Sequence, residues 1–281
     1  MLISFLGVDG IGKTTLATAL AEDLTERGLA VVQTSWRRSL GTAETPWPGV
    51  ALRQLWLETF RLIYANARGG DGPIALPADF RDWAHDAWED RLAETAVSGV
   101  RPVGPLAAAL VELAGNVVYF AEVIRPAIDD GKIVLLDTFP YKHVLKELTL
   151  ARHTATREGT PLIDSLDRFM TDFFGDPSMQ PQIGVFVDGP LELAYAWRTS
   201  QNGRVGLLED LRAAGLHGES SFVAMQQATA TRFREVAQRW GWLRHEVDGS
   251  GIADNVSRGL RLILGHRELA RRVGAGVVEG V

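Results

Sequence analysis

Cysteine is absent from this 281-residue chain. That excludes a disulfide frame, a thiolate zinc site and a thiol nucleophile. Lysine is almost absent too: Lys13, Lys132, Lys142 and Lys146 are the only four, against 25 arginines. There is no basic run and the net charge is −6, which argues against nucleic-acid backbone as the main partner. No apolar run reaches membrane-spanning length, so no membrane contact is expected. Leu2–Leu6 is too short for a secretory signal, and no basic segment precedes it. Cytoplasmic residence is the expectation. The six histidines show no metal-ligand spacing, and no G-x-S-x-G or guanine-reading N-K-x-D occurs. No internal repeat or low-complexity block is present. Hydrophobic residues make up 46% of the chain, enough for a sizeable core.

Residues Gly7-Val8-Asp9-Gly10-Ile11-Gly12-Lys13-Thr14 complete a G-x-x-x-x-G-K-[ST] phosphate loop. It follows the apolar run Leu2–Leu6 and opens a helical pattern with Leu16, Leu20 and Leu24, closed by Gly28. Leu29–Thr34 reads as a second strand, so the unit is β-α-β and favours a parallel sheet with helices on its faces. A helix is predicted over Leu52–Tyr64. Gly/Pro-rich breaks at Gly69–Pro77 and Ser98–Pro105 enclose Ala78–Val97, an acidic stretch with Trp83 and Trp88. It reads either as a helical cap over a substrate site or as a packed surface pair. Leu106–Asp130 carries a clear helical period, with Pro126 expected to kink its last turns. Lys132–Asp137 is a buried strand ending in an acid. Helices are expected at about His143–Thr156, Pro161–Phe174, Ser221–Trp240 and Ile252–Leu264. Strands are expected at Ile183–Val187 and Trp242–Val247. Pro177–Pro181 is a loop, Pro190 suits the first turn of the helix that follows, and the tail from Val273 is expected to fray.

In the phosphate loop, backbone N–H groups over Gly10, Ile11, Gly12, Lys13, Thr14 and Thr15 turn onto phosphate oxygens. Lys13 reaches the β/γ-phosphates and Thr14 offers a hydroxyl to Mg²⁺. Asp137 ends an apolar strand in the Walker B manner, a second Mg²⁺ ligand unless it caps the next helix. Arg198 and Arg204 bracket a polar, glycine-containing stretch. Arginines on a closing segment stabilise the charge of a phosphoryl group in flight, so either is a catalytic candidate. The carboxylate of Asp9 should turn away from the bound phosphates. It is then free to accept a hydrogen bond from an acceptor hydroxyl or to act as a base, unless it only braces the loop. Arg37 and Arg38 lie just past the second strand, where ligands bind in open α/β sheets, and are candidate acceptor-binding residues.

Four segments resemble the thymidylate kinase family of nucleoside monophosphate kinases. They are Phe5–Thr15 with its loop aspartate, Val123–Asp137, Val185–Ala194 followed by Arg198, and Phe222–Trp242 leading to Val247-Asp248. The resemblance implies a three-layer α/β P-loop kinase fold with a parallel five-stranded sheet and a lid. It implies one domain over 1–281 with a lid at about 198–218, and the stretch at 69–105 is expected to be a helical insertion that departs from the family. It also implies ATP and Mg²⁺ as cofactors, a small-molecule phosphoryl acceptor, and a homodimer as a candidate assembly. Three departures stand out. Thr138-Phe139 follows Asp137 where the family has arginine. Trp36-Arg37-Arg38-Ser39 replaces its Arg-Glu-Pro-Gly-Gly run. The central-helix arginine that holds the acceptor phosphate has no counterpart near Gly115-Asn116-Val117, which leaves Asn116 as the candidate contact there. The donor half is retained and the acceptor half rewritten, so thymidine monophosphate is expected to be a poor acceptor. The alternatives are a kinase for a nucleoside or other small hydroxyl compound, and a regulatory nucleotide-binding module without turnover.

Overall fold

The computed structural model describes residues 1–41, 45–70, 72–85 and 88–276. Strand β1 (Leu2–Leu6) is buried along its whole length, as a run of apolar residues must be in the middle of a sheet covered on both faces. The other strands of its sheet are β2 (Val31–Thr34), β5 (Ile133–Leu136), β6 (Ile183–Asp188) and β7 (Leu243–Glu246). All pairs are parallel, in the order β2-β5-β1-β6-β7, with Leu2 opposite Val134 and Ile3 opposite Ile183. Alternation along the strands divides the interior into two cores. Leu2, Leu6, Val134 and Leu136 face one side; Ile3, Phe5, Ile133 and Leu135 face the other.

Helices supply both outer layers. On one face α1 (Lys13–Glu26) inserts Leu16, Leu20 and Leu24. On the other, α7 (Tyr141–Thr154) inserts Val144, Leu145 and Leu148, and α8 (Thr160–Phe174) adds Ile163, Met170 and Phe174. α9 (Leu191–Asn202), α10 (Gly218–Arg239) and α11 (Ile252–Leu264) complete the wrap, and α12 (Arg267–Gly276) ends the described chain. The expected fray from Val273 is corrected as far as Gly276, which is helical; residues 277–281 lie outside the described residues.

Between β2 and β5 the chain makes a helical excursion. α2 (Gly49–Tyr64) begins three residues before its expected start at Leu52. The expected break after it holds a short antiparallel pair, β3 (Arg68–Gly69) with β4 (Gly72–Pro73), and Arg68 bridges to Ser98. That bridge closes the base of a segment whose helices are α3 (Phe80–His85) and α4 (Trp88–Glu94). A third core forms beneath them from Leu57, Phe60 and Ile63 of α2 with Trp83, Leu92 and Val97.

The long central helix runs as α5 (Val103–Tyr119), a π turn over Phe120–Ile124, and α6 (Arg125–Asp129). At the position of the expected kink, the π turn directly before Pro126 lets the hydrogen-bond ladder skip the missing proline N–H. This helix, Val103–Asp129, is long and apolar enough by composition to cross a membrane, at mean hydropathy 1.6, which corrects the expectation that no such segment exists. It is instead a core helix packed on α2 and α7, with Glu112 and Asn116 on its buried face. Pro190 sits one position earlier than expected, capping α9 from an extended conformation.

Candidate active site

The phosphate loop leaves β1 at the centre of the sheet and enters α1 at Lys13. Gly12 caps α1 in the left-handed region without a side-chain hydrogen bond, so no side chain competes for the first N–H groups of the helix. Gly10, at φ +79°, lies against α9; a Cβ there would run into the carbonyl of Ala194 and the Cβ of Arg198. That close approach places Arg198 directly over the loop. Lys13 curls back, its Nζ donating to the Val8 carbonyl at 2.5 Å, and is buried.

Asp9 is not free, which corrects that expectation. Its carboxylate accepts from Lys142 Nζ at 2.5 Å, pairs with Lys146 Nζ at 2.6 Å, and accepts from Gln226 Nε2 at 3.0 Å. Both lysines are buried, one turn apart on the same face of α7. Three of the chain's four lysines therefore meet at this loop. Burial opposes ionisation of Asp9, but the charges of Lys142, Lys146 and Lys13 outweigh it and hold the carboxyl well below the usual range. Burial and then the charge of Lys142 pull Lys13 well below the ordinary lysine range, against Asp9. A carboxylate held so low is a feeble proton acceptor, so its base role loses support. Lys142 and Lys146 belong to no motif. Only the scarcity of lysine and their i, i+4 spacing just after Asp137 mark them in the sequence.

Asp137 follows β5 and is buried beside the loop. Pro140, not Asp137, caps α7, and no side-chain cap bond is made there. Gln33 Nε2 donates to Asp137 at 2.6 Å, and Arg38 lies 3.6 Å from it. Burial raises the Asp137 carboxyl, against Gln33, Arg38 and Lys13, so a nearby cation would relieve it. Asp137 and the hydroxyl of Thr14 line the same cavity. Two hard oxygen donors beside a polyphosphate loop fit Mg²⁺, which keeps several waters and takes few protein ligands. Among the described residues no cluster of three metal-binding side chains exists.

The arginines are placed but not idle. Arg198 grips Glu209, in the segment between α9 and α10, through Nε at 2.7 Å and through Nη2. Gln226 ties that segment to the phosphate loop, donating to the Glu209 carbonyl at 2.7 Å while accepting from the Asp9 N–H at 2.9 Å. Arg204 pairs with Asp90 and Glu94 of α4. Arg37 reaches Glu89 at 2.9 Å and faces the cavity, whereas Arg38 turns to Asp137 and to the Gln33 carbonyl. The two adjacent arginines thus serve different ends of the site.

The cavity measures about 630 Å³. Glu89, Asp90 and Ala93 of α4 line it. Trp83 is buried, stacked on Phe60 with centroids 4.6 Å apart, and Trp88 carries Arg91 over its ring; neither lines the cavity. Asn116 does line it, buried, its Nδ2 donating to the Glu112 carbonyl at 2.8 Å. One residue before, Gly115 seats the Trp36 indole, and any Cβ there would overlap the ring. The Trp36 indole thus lies against the stretch of helix around Asn116, where the resembling family carries its arginine. On the far side of the loop a narrow slot is lined by Trp197, His245, Val247 and Gln201 among others.

A phosphate loop between the central strand and its helix, in a parallel sheet of this order, defines a P-loop kinase fold. No protein-family model matches the chain. Proteins named thymidylate kinase from two strains of Bifidobacterium longum are 31% identical over 161 residues, 57% of this chain and 55% of theirs. The matched stretch thus spans about half the length of those relatives. A thymidylate kinase of Pseudomonas fluorescens is 26% identical over 246 residues, 85% of each chain. The chain is a distant homologue of the thymidylate kinases.

Proposed function

We propose that this protein is a phosphotransferase that moves the γ-phosphoryl group of ATP, with Mg²⁺, to a small nucleotide-like acceptor. The observation that carries the reading is that Thr14, Asp137 and Arg198 line one cavity beside the phosphate loop that holds Lys13, a cavity large enough for an acceptor. The donor phosphates would lie on the loop N–H groups, with the donor ring outside the narrow slot on the Trp197 side of the loop. Lys13 exchanges its bond to the Val8 carbonyl for phosphate oxygens. Thr14 and Asp137 would hold Mg²⁺, which neutralises charge on the transferring group. Arg198 sits on the helix above the loop and stabilises the charge that develops there. Asp9 acts as the counter-ion that keeps Lys142 and Lys146 gathered at the acceptor side.

The acceptor is expected to differ from thymidine monophosphate. Thr138 follows Asp137, and Trp36 lies on the helix where an arginine would clamp the acceptor phosphate. A missing charge-assisted hydrogen bond to that phosphate weakens its binding by about 1.5–3 kcal/mol unless Arg37 replaces it. The test is turnover of ATP with a panel of nucleotides, nucleosides and small hydroxyl compounds, with and without Mg²⁺. No acceptor-dependent turnover by any of them would refute the reading. A nucleotide-binding module without turnover is the second reading. It is favoured by the pairing of Arg198 with Glu209 and of Arg204 with Asp90 and Glu94, which leaves both arginines neutralised. A homodimer remains a proposal, testable by mass in solution.

A further inference from the structure

Among the described residues, four cationic side chains line the cavity: Arg37, Arg198, Arg204 and Lys146. Each arginine has carboxylates of its own. Arg37 has Glu89, Arg198 has Glu209, and Arg204 has Asp90 and Glu94. Lys146 is not matched in this way. It takes one oxygen of Asp9 at 2.6 Å, while Lys142 takes the other at 2.5 Å. Lys13 adds its field to the same carboxylate. One negative charge therefore answers both ammonium groups of α7, with a third lysine beside them. Of the two α7 lysines, only Lys146 lines the cavity. The acids behind it do not restore the balance. Glu112 and Glu147 share the wall of a small niche with Lys146. Burial pushes Glu112 up to about 8, against a bond from Asn116, and pushes Glu147 well above its usual range. Both carry their protons at neutral pH. A buried ammonium with half a counter-ion is costly, and an anion that reaches it removes that cost.

We propose that Lys146 is an acceptor-binding residue, whose ammonium exchanges its share of Asp9 for an oxyanion carried by the acceptor, while Lys142 keeps Asp9 in place. This deepens the phosphotransferase reading and rests on it for the word acceptor. It assigns the charge to α7, away from the two positions where the resembling family carries arginine, which here are Thr138 and the stretch around Asn116. The bases available at the same spot agree with an anionic acceptor. A neutral hydroxyl must pass its proton to a base as it attacks. Against burial, Lys142, Lys146 and Lys13 hold Asp9 well below the usual carboxylate range. Burial, aided by the charges of Lys146 and Lys142, pulls His143 on the cavity wall down to about 3. Neither is an effective base. An acceptor oxygen that is already an anion needs none. It bonds to the γ-phosphorus as the bond to the β–γ bridging oxygen breaks, the electron pair leaves with ADP, and no proton moves.

The experiment is a phosphorus-NMR titration of inorganic phosphate into the full chain, as wild type, Lys146→Met, Lys146→Gln and Lys146→Arg. It is run without and with Mg²⁺ and a β,γ-imido analogue of ATP. The analogue fills the phosphate loop, so phosphate that still binds occupies another place. In the wild type that phosphate should bind with a Kd below about 10 mM. Lys146→Met and Lys146→Gln should each weaken it at least about tenfold, the effect of one lost charge-assisted bond. Lys146→Arg restores a cation and should bind phosphate more tightly than either neutral variant, which a lysine that only braces Asp9 does not require. Thermal melts check that each variant is folded, and either neutral variant suffices for the comparison. No phosphate bound beside the analogue, an affinity in a folded neutral variant within about threefold of wild type, or no advantage of Lys146→Arg would each overturn the inference. Phosphate that binds through Lys146 in a chain that does not bind the analogue would sink the proposed function and leave this inference standing.

Discussion

Replacing Asp9 by asparagine tests the electrostatic centre of the site. In the wild type one carboxylate takes Lys142 at 2.5 Å, Lys146 at 2.6 Å and the amide of Gln226 at 3.0 Å, and Lys13 adds its field. The amide has the same shape but only one oxygen, and its NH₂ would face an ammonium. Three buried lysines would then lack their counter-ion. Leaving a buried charge unpaired costs about 3–5 kcal/mol. Lys142, already lowered by burial against Asp9, can shed its proton and relieve part of this. We therefore expect about 3 kcal/mol, or a melting temperature lower by about 6–12 °C in a chain of this size. The pH dependence gives the sign. The Asp9 carboxyl lies below its unfolded value, so its stabilisation is complete above about pH 4 and is lost as pH falls through the lower folded value. For Asp9→Asn the penalty comes from lysine charge, so the gap from wild type should narrow as pH rises from 7 to 9.5. Adding Lys146→Met should recover part of the loss, by about 0.5–3 kcal/mol of coupling. Thermal melts followed by circular dichroism measure all three. A variant that melts within 2 °C of wild type at pH 7, with no pH trend, would show that Asp9 is not the counter-ion of these lysines.

Other perturbations separate the remaining parts of the site. Lys13→Ala should lower ATP-dependent transfer by at least about one to two orders of magnitude while leaving the melting profile cooperative, and near-normal transfer would remove Lys13 from the site. Asp137→Asn should raise the Mg²⁺ concentration for half-maximal turnover by about tenfold or more and change metal-free nucleotide binding little; identical Mg²⁺ titrations would make it structural. Arg37→Ala should raise the KM of an anionic acceptor, whereas Arg38→Ala, which removes the neighbour of Asp137, should act on the Mg²⁺ titration; equal effects on KM would contradict the placement of the two side chains. Thymidine monophosphate should show a kcat/KM below about 10⁴ M⁻¹s⁻¹, and a higher value would mean that Arg37 or another group replaces the missing clamp.

The phosphate loop, its strand and its helix could be read from the sequence because their determinants are local. The glycines, Lys13 and Thr14 are contiguous, and Leu16, Leu20 and Leu24 keep a 3.6-residue period through one helix. The apolar runs of β5 and β6 were legible for the same reason, since a strand covered on both faces needs no partner to declare itself. Asp137 could be named because it ends such a run. The roles of Asp9, Arg198 and Arg204 could not, because each depends on groups far along the chain. Lys142 lies 133 residues from Asp9, Glu209 comes from the segment between α9 and α10, and Asp90 and Glu94 come from α4. The side of Trp83 was likewise undecided by its spacing. Packing on Phe60 of another helix, not periodicity, turned it from the cavity. The acid pair Glu112 and Glu147 sits on two helices, each of which reads as ordinary amphipathic sequence. The sequence alone thus determined the phosphate loop with its strand and helix, which are written in consecutive residues. Tertiary structure alone decided the cavity beside it, because charge balance and cavity shape arise only when α2, α4, α5 and α7 come together.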